Sequence, residues 1–150
     1  MFKQLDDTDR KIIALLQKDA RMSNAEISRH VNISRVAVGE RIQQLVKTKV
    51  IQEFTAIVNA EAMGFPVAAF FEIEVLPAKI VGAARELTEQ PEVIVVYQMT
   101  GPSSLHVHAN FKDPQHLGTF VQKHITTLPG VQKLTTYLLM QRFKSVLNIR

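Results

Sequence analysis

Apolar residues in the first third of the chain recur at helical spacing in three runs. In the first, Ile12, Ile13, Leu15 and Leu16 form the apolar side of an amphipathic helix that Asp7 or Thr8 can cap and that Asp19-Ala20-Arg21 closes. Ser23-Asn24-Ala25-Glu26 then reads as a capping box. The serine oxygen accepts from the backbone N–H three residues on, the glutamate reaches back, and a helix of two turns opens that runs through Val31. Asn32 tolerates the left-handed backbone of a tight turn, Ile33 is apolar, and Ser34 is suited to cap a third helix from Arg35 to Lys47. Within that helix Val38, Ile42 and Leu45 stand at i, i+4 and i+7, so one stripe packs inward. The pattern predicts a helix, a tight turn and a second helix behind a supporting first one.

The opposite face of the third helix carries Arg35, Val36, Gly39 and Gln43, flanked by Arg41 and Lys47. These groups suit base edges and phosphates, and the glycine allows close approach. Glu40 interrupts the basic pattern. Any one of these residues alone reads more readily as part of a solvated helix face. Together, in a helix-turn-helix frame, they assign Arg35, Val36, Gly39 and Gln43 to base edges, while Ser34, Arg41 and Lys47 contact phosphates or brace the motif. For Arg41 the alternative is a salt bridge to Glu26 of the second helix.

Beyond residue 50 the period shortens. Residues 51–58 read as an extended hinge segment, and the breakers in 59–66 place a boundary near residue 60, giving a DNA-binding domain over 1–60 and a second domain over 61–150. In the second domain the pattern is strand 67–76, helix 78–89, strand 92–99, strand 105–111, helix 114–127 and strand 131–141, punctuated by Pro77, Pro91, Gly101-Pro102, Pro114 and Pro129-Gly130. That order is βαββαβ, a ferredoxin-like unit, and the whole chain is α+β. Both helices of such a unit cover one face of the sheet. Phe71, Ile73 and Val75 alternate with Glu72 and Glu74, as a strand with one solvated face should. By contrast 93–97 and 138–140 are continuously apolar, which predicts burial of part of the second face, most simply against another copy of the chain. The rival explanation folds the N-terminal domain back over that face.

Composition narrows the class of function. With 46% hydrophobic and 21% charged residues among 150, the chain is globular. It contains no cysteine, so disulfides and thiolate metal sites are excluded, and the cytoplasm is the expected compartment. No apolar core of signal-peptide length opens the sequence, and no continuously apolar run approaches the roughly 18 residues of a membrane span, so the protein is expected neither to be secreted nor to enter a membrane. Residues 1–50 hold ten Lys or Arg against six Asp or Glu, a net +4, whereas 51–150 hold eight of each. A local positive excess serves a phosphate backbone, because neutralised phosphates release condensed counterions.

Other chemistries have less to stand on. His106 and His108 share one face of a strand, and His116 and His124 lie on the following helix, yet no metal-ligand spacing such as H-E-x-x-H occurs and no metal is expected. Glycine-rich phosphate loops, a G-x-S-x-G elbow and paired carboxylates at catalytic spacing are all absent, so neither catalysis nor a cofactor is expected. The aromatic motif of RNA-binding sheets is also missing. The remaining competitor is a ligand-binding oligomeric interaction protein whose helix-turn-helix serves packing only and has no affinity for duplex DNA.

Leu5-Asp6-Asp7-Thr8-Asp9-Arg10-Lys11-Ile12-Ile13, Leu16-Gln17, Ala20-Arg21, Ser34, Glu40-Arg41-Ile42, Leu45, Val50-Ile51-Gln52, Phe54-Thr55-Ala56, Leu128-Pro129-Gly130-Val131 and Thr136-Tyr137 together resemble the Lrp/AsnC, or feast/famine, family of transcriptional regulators over essentially the whole chain. The resemblance implies a winged helix-turn-helix joined by a hinge strand to a ligand-responsive α+β domain. It also implies dimerisation through the sheets, frequent assembly into octamers that wrap DNA, and amino-acid effectors bound between dimers. In one place the sequence departs from the family. Where the family often has Gly-Asp-x-Asp between the second and third strands of the effector domain, this chain has Gly101-Pro102-Ser103-Ser104, and both carboxylates are missing. An aspartate there would pair with the ammonium of an amino acid, whereas Ser103 and Ser104 hydroxyls suit a neutral or anionic ligand. The resemblance carries over Gly101 for the turn and Thr136 as a hydrogen-bonding wall, with a plain strand-forming role as the alternative for Thr136.

Overall fold

The computed structural model describes residues 5–101 and 104–143. The chain divides into two compact units between Ile57 and Val58. In the first, α1 spans Asp7–Lys18, α2 Asn24–Val31 and α3 Arg35–Lys47. The cap of α1 is Asp6, not Asp7 or Thr8: its extended backbone aims the carboxylate at the Asp9 N–H, 2.7 Å away. This leaves Asp7 and Asp9 in the first turn, where negative charge favours the helix dipole. The capping box at α2 is complete. Ser23 Oγ accepts from the Glu26 N–H at 3.2 Å and Glu26 Oε2 accepts from the Ser23 N–H at 2.8 Å. Asn32 takes the left-handed conformation at φ 55°, and Ser34 Oγ accepts from the Ala37 N–H at 3.1 Å to open α3.

Ile12, Leu16, Ile27, Val38 and Leu45 form the core of this unit, with Ile42 only partly buried against it. After α3, Lys49 adopts φ 58° and the N–H groups of Val50 and Ile51 both donate to Leu45 O, which folds Val50 and Ile51 back onto the core. The hinge strand expected over 51–58 is not a strand in this chain. A strand needs a second row of backbone groups to pair with, and residues 51–58 join no ladder with the described residues, leaving Phe54, Ile57 and Val58 exposed. The described residues of the first unit therefore comprise three helices and no strand of a wing.

In the second unit, β1 (Val67–Val75) leads through a 3-10 turn at Pro77–Lys79 into α4 (Ile80–Thr88), then β2 (Val93–Gln98), β3 (Leu105–Phe111), α5 (Pro114–Phe120) and β4 (Val131–Leu138). The helix expected over 114–127 loosens after Phe120 into a π-turn over Val121–Ile125, and the last strand stops at Leu138 rather than residue 141. The sheet is antiparallel throughout with order β2-β3-β1-β4, the ferredoxin-like arrangement. Phe71, Ile73 and Val75 of β1 and Leu105, Val107, Ala109 and Phe111 of β3 point to one face. There they pack with Ala83 and Leu87 of α4 and with Phe120, Ile125 and Leu128.

The apolar run in β2 has a local explanation. A bulge between Val93 and Val95 shifts the phase of the strand, so Val93 and Val96 both pack on the core while Tyr97, paired with His106, emerges on the other face. On that other face Tyr97 and Tyr137 are half exposed and Phe70 is partly buried.

Candidate nucleic-acid interface and ligand-binding unit

Helical spacing sets the working face of α3. With Val38 and Leu45 turned inward, Arg35, Val36, Glu40, Gln43 and Lys47 are left exposed on the outer side. Val36 is 63% exposed although apolar, so it contributes little to the core. Arg35, Val36, Gly39, Glu40 and Gln43 line a groove of about 340 Å³, closed on one side by Asn24 from the start of α2. The structure thus brings together all four residues assigned to base edges, with Ser34 at the head of the same helix and Lys47 one turn beyond Gln43.

Gly39 has a packing role that the sequence did not disclose. A Cβ at this position would meet Asn24 Nδ2 at 2.9 Å, so the glycine lets the α2 side chain lie against α3. Asn24 and Glu40 are the groove residues that sequence reasoning missed. Asn24 read only as the second residue of a capping box, and Glu40 only as a break in a basic pattern; nothing local signals that their side chains share a groove.

Arg41 is held elsewhere. Its Nη1 donates to Asp6 Oδ2 and to Asp9 Oδ1, each at 2.7 Å, and the Asp9 side chain is only 2% exposed. The bracing partner is therefore α1, not Glu26, whose Oε2 accepts from the Ser23 hydroxyl at 2.6 Å. The Asp9 N–H and then the Arg41 guanidinium hold the Asp6 carboxyl below its ordinary range, and Asp6 and Asp9 raise the Arg41 guanidinium in turn. The Ser23 side chain and N–H likewise lower the Glu26 carboxyl.

In the second unit Gly101 has φ 115°, a backbone that favours glycine, at the turn between β2 and β3. Pro102 and Ser103, the latter expected at an effector site, lie outside the described residues. Ser104 is committed to the fold: its Oγ accepts from the Val75 N–H at 2.8 Å and donates to Ile73 O at 3.2 Å, tying the turn to the end of β1. Thr136 pairs with Phe71 and lies on the helix-covered side of the edge strand, exposed to solvent.

A cavity of about 230 Å³ opens on the other face of the sheet, lined by Phe70, Phe71, Glu72, His106, His108 and Tyr137. Neither this cavity nor the α3 groove is lined by Gly101, Ser104 or Thr136. His108 stacks edge-on against Phe70 at 4.3 Å between centroids, and burial followed by the nearby His106 lowers its imidazole below the ordinary histidine range. His106 lies 3.9 Å from Glu72, whereas His116 is paired 2.9 Å from Glu92 and His124 packs on Phe120. Among the described residues no three His, Asp or Glu side chains form a group able to hold a metal, and no helix is long and apolar enough to cross a membrane.

Known proteins match both units. The AsnC-type helix-turn-helix domain matches residues 5–46, and the Lrp/AsnC ligand binding domain matches residues 68–148. An uncharacterized HTH-type transcriptional regulator of Pyrococcus horikoshii is 36% identical over 136 residues, covering 91% of this chain and 86% of that protein. The HTH-type transcriptional regulator FL11 of Pyrococcus furiosus is 34% identical over 145 residues, covering 97% of this chain and 95% of the relative. Among solved structures, a transcriptional regulator of Neisseria meningitidis in complex with L-Met superposes with a TM-score of 0.89 at 26% identity, over 98% of this chain and 97% of that one. The chain belongs to the Lrp/AsnC family and is a helix-turn-helix transcriptional regulator rather than an enzyme.

Proposed function

We propose that α3 enters the major groove of duplex DNA with Arg35, Val36, Gly39 and Gln43 toward base edges, while Ser34 and Lys47 contact phosphates. Arg41 is assigned instead to bracing α1 against α3. The observation that carries this reading is the groove itself. Arg35 and Gln43 line it, exposed and without a hydrogen bond or ion pair to the described residues, so their donors are available to bases. Arg35→Ala tests it. If Arg35 forks onto a guanine, the variant loses about 1 to 3 kcal/mol on the preferred duplex and relaxes discrimination at one base pair. A loss spread evenly over all sequences would reassign Arg35 to a phosphate.

The second unit takes a small-molecule effector, an amino acid by analogy with the L-Met complex of the Neisseria regulator. The proposed site comprises Gly101, Ser103, Ser104 and Thr136. With the Ser104 hydroxyl engaged at β1, the ligand would meet mainly Ser103 and turn amides. The open sheet face, with Phe70, Tyr97 and Tyr137, is covered by a second copy, giving a homodimer from which larger assemblies are built. A duplex-DNA target places the regulator in the cytoplasm. An interaction protein without duplex affinity would instead show no salt-sensitive DNA binding.

A further inference from the structure

Glu40 is the one acidic side chain among the six residues that line the α3 groove, and it stands between Val36 and Gln43 on the exposed stripe of the helix. Its carboxylate is exposed and makes no hydrogen bond or ion pair with any described residue. By contrast Asp6, Asp9 and Glu26 are occupied by Arg41 or by a cap, and Asp19 accepts from the Arg21 N–H. A solvated carboxylate on an outer helix face would be unremarked, but this one faces the surface assigned to a polyanion. There it opposes binding to every sequence unless a base supplies a donor.

The chemistry of the major groove restricts which base can do so. A carboxylate only accepts hydrogen bonds. Guanine offers N7 and O6, both acceptors, and thymine offers O4 and a methyl group. Adenine offers its N6 amino group beside the N7 acceptor, while cytosine offers its N4 amino group alone. We propose that Glu40 is a specificity-determining residue of this regulator, accepting a hydrogen bond from a cytosine amino group and penalising guanine and thymine at that position. The proposal rests on α3 being the reading helix. Glu40 thereby lowers affinity for random DNA while raising the contrast between the operator and the rest of the genome, a repulsive element of the kind that specificity requires.

Selection from a randomised duplex library by the full-length protein, its Glu40→Gln variant and the Arg35→Ala variant tests this. Glutamine is nearly isosteric, removes the charge and offers both a donor and an acceptor, the pair that adenine complements. The expected result is one position at which the native protein enriches cytosine and Glu40→Gln enriches adenine. The native preference for cytosine over guanine there, roughly ten- to hundred-fold, is lost, and affinity for random duplex rises. The thermal midpoint stays unchanged, because Glu40 bonds to none of the described residues; a merely structural role would move that midpoint and leave the selected sequence alone. If Glu40→Gln and the native protein select the same bases while Arg35→Ala changes one, the assignment of Glu40 is overturned and α3 remains the reader. If none of the variants alters the selected sequence, the assignment of α3 as reader falls with it.

Discussion

Arg41 and Arg35 lie on one helix six residues apart, and among the described residues only Arg41 is paired. The Arg41 guanidinium bridges two carboxylates of α1, one of which, on Asp9, is almost wholly buried. Taking that cation away removes a charge-assisted hydrogen bond from a buried carboxylate, which costs more than an exposed pair ever contributes. Arg41→Ala is expected to lower stability by about 2 to 3 kcal/mol, less than for a fully buried pair because the guanidinium itself is a third exposed. Denaturant unfolding checks this, and duplex affinity at temperatures where the variant stays folded should be nearly unchanged. Ser34 admits a similar separation of roles. Its oxygen accepts from the Ala37 N–H, while its hydroxyl proton meets no acceptor among the described residues and can serve a phosphate. Ser34→Asp keeps the cap and should hold stability within about 0.5 kcal/mol, yet weaken duplex binding; Ser34→Ala should cost about 1 kcal/mol of stability. Equal duplex affinity for Ser34→Asp and the native protein would remove Ser34 from the phosphate contacts.

At the scale of the element, what could be read from the sequence is what is decided within three or four residues. Ser23 with Glu26, Asn32, and Ser34 before Arg35 are local signals, and the structure places α2, the turn and α3 where they predict. The cap of α1 lies one residue before Asp7 and two before Thr8, because all three are competent caps and the contact from Arg41 to Asp6 links residues 35 apart. The structural role of Ser104 is hidden from the sequence for the same reason. Its hydrogen bonds to β1 span about thirty residues, and no local pattern announces them. The β2 bulge is a further case: one extra residue turns an alternating strand into what reads as a continuous apolar run. Gly39 shows an element in which two demands meet. An alanine there gains helix propensity, and the Asn24 amide it would touch sits at the free end of a side chain that can swing aside. Gly39→Ala is expected to raise stability by about 0.5 kcal/mol and still lower duplex affinity, as thermal unfolding and titration together would show.

For the whole molecule, the division of charge and of apolar surface says which unit does what. The net +4 lies within residues 1–50, while residues 51–150 are balanced and carry the open sheet face with Tyr97 half exposed. Covering that face with a second copy removes aromatic surface from water without touching the buried side of the sheet. Tyr97→Asp should therefore leave the second unit folded but shift the protein from dimer to monomer, read as mass by light scattering. A dimer that survives the substitution would place the interface elsewhere. The central claim, that α3 and its groove read duplex DNA, is met most directly by binding to the protein's own upstream DNA across a salt series. The account predicts tight binding that falls steeply as salt rises, with that fragment preferred over random duplex. Absence of duplex affinity at low salt, or binding indifferent to salt, would contradict it.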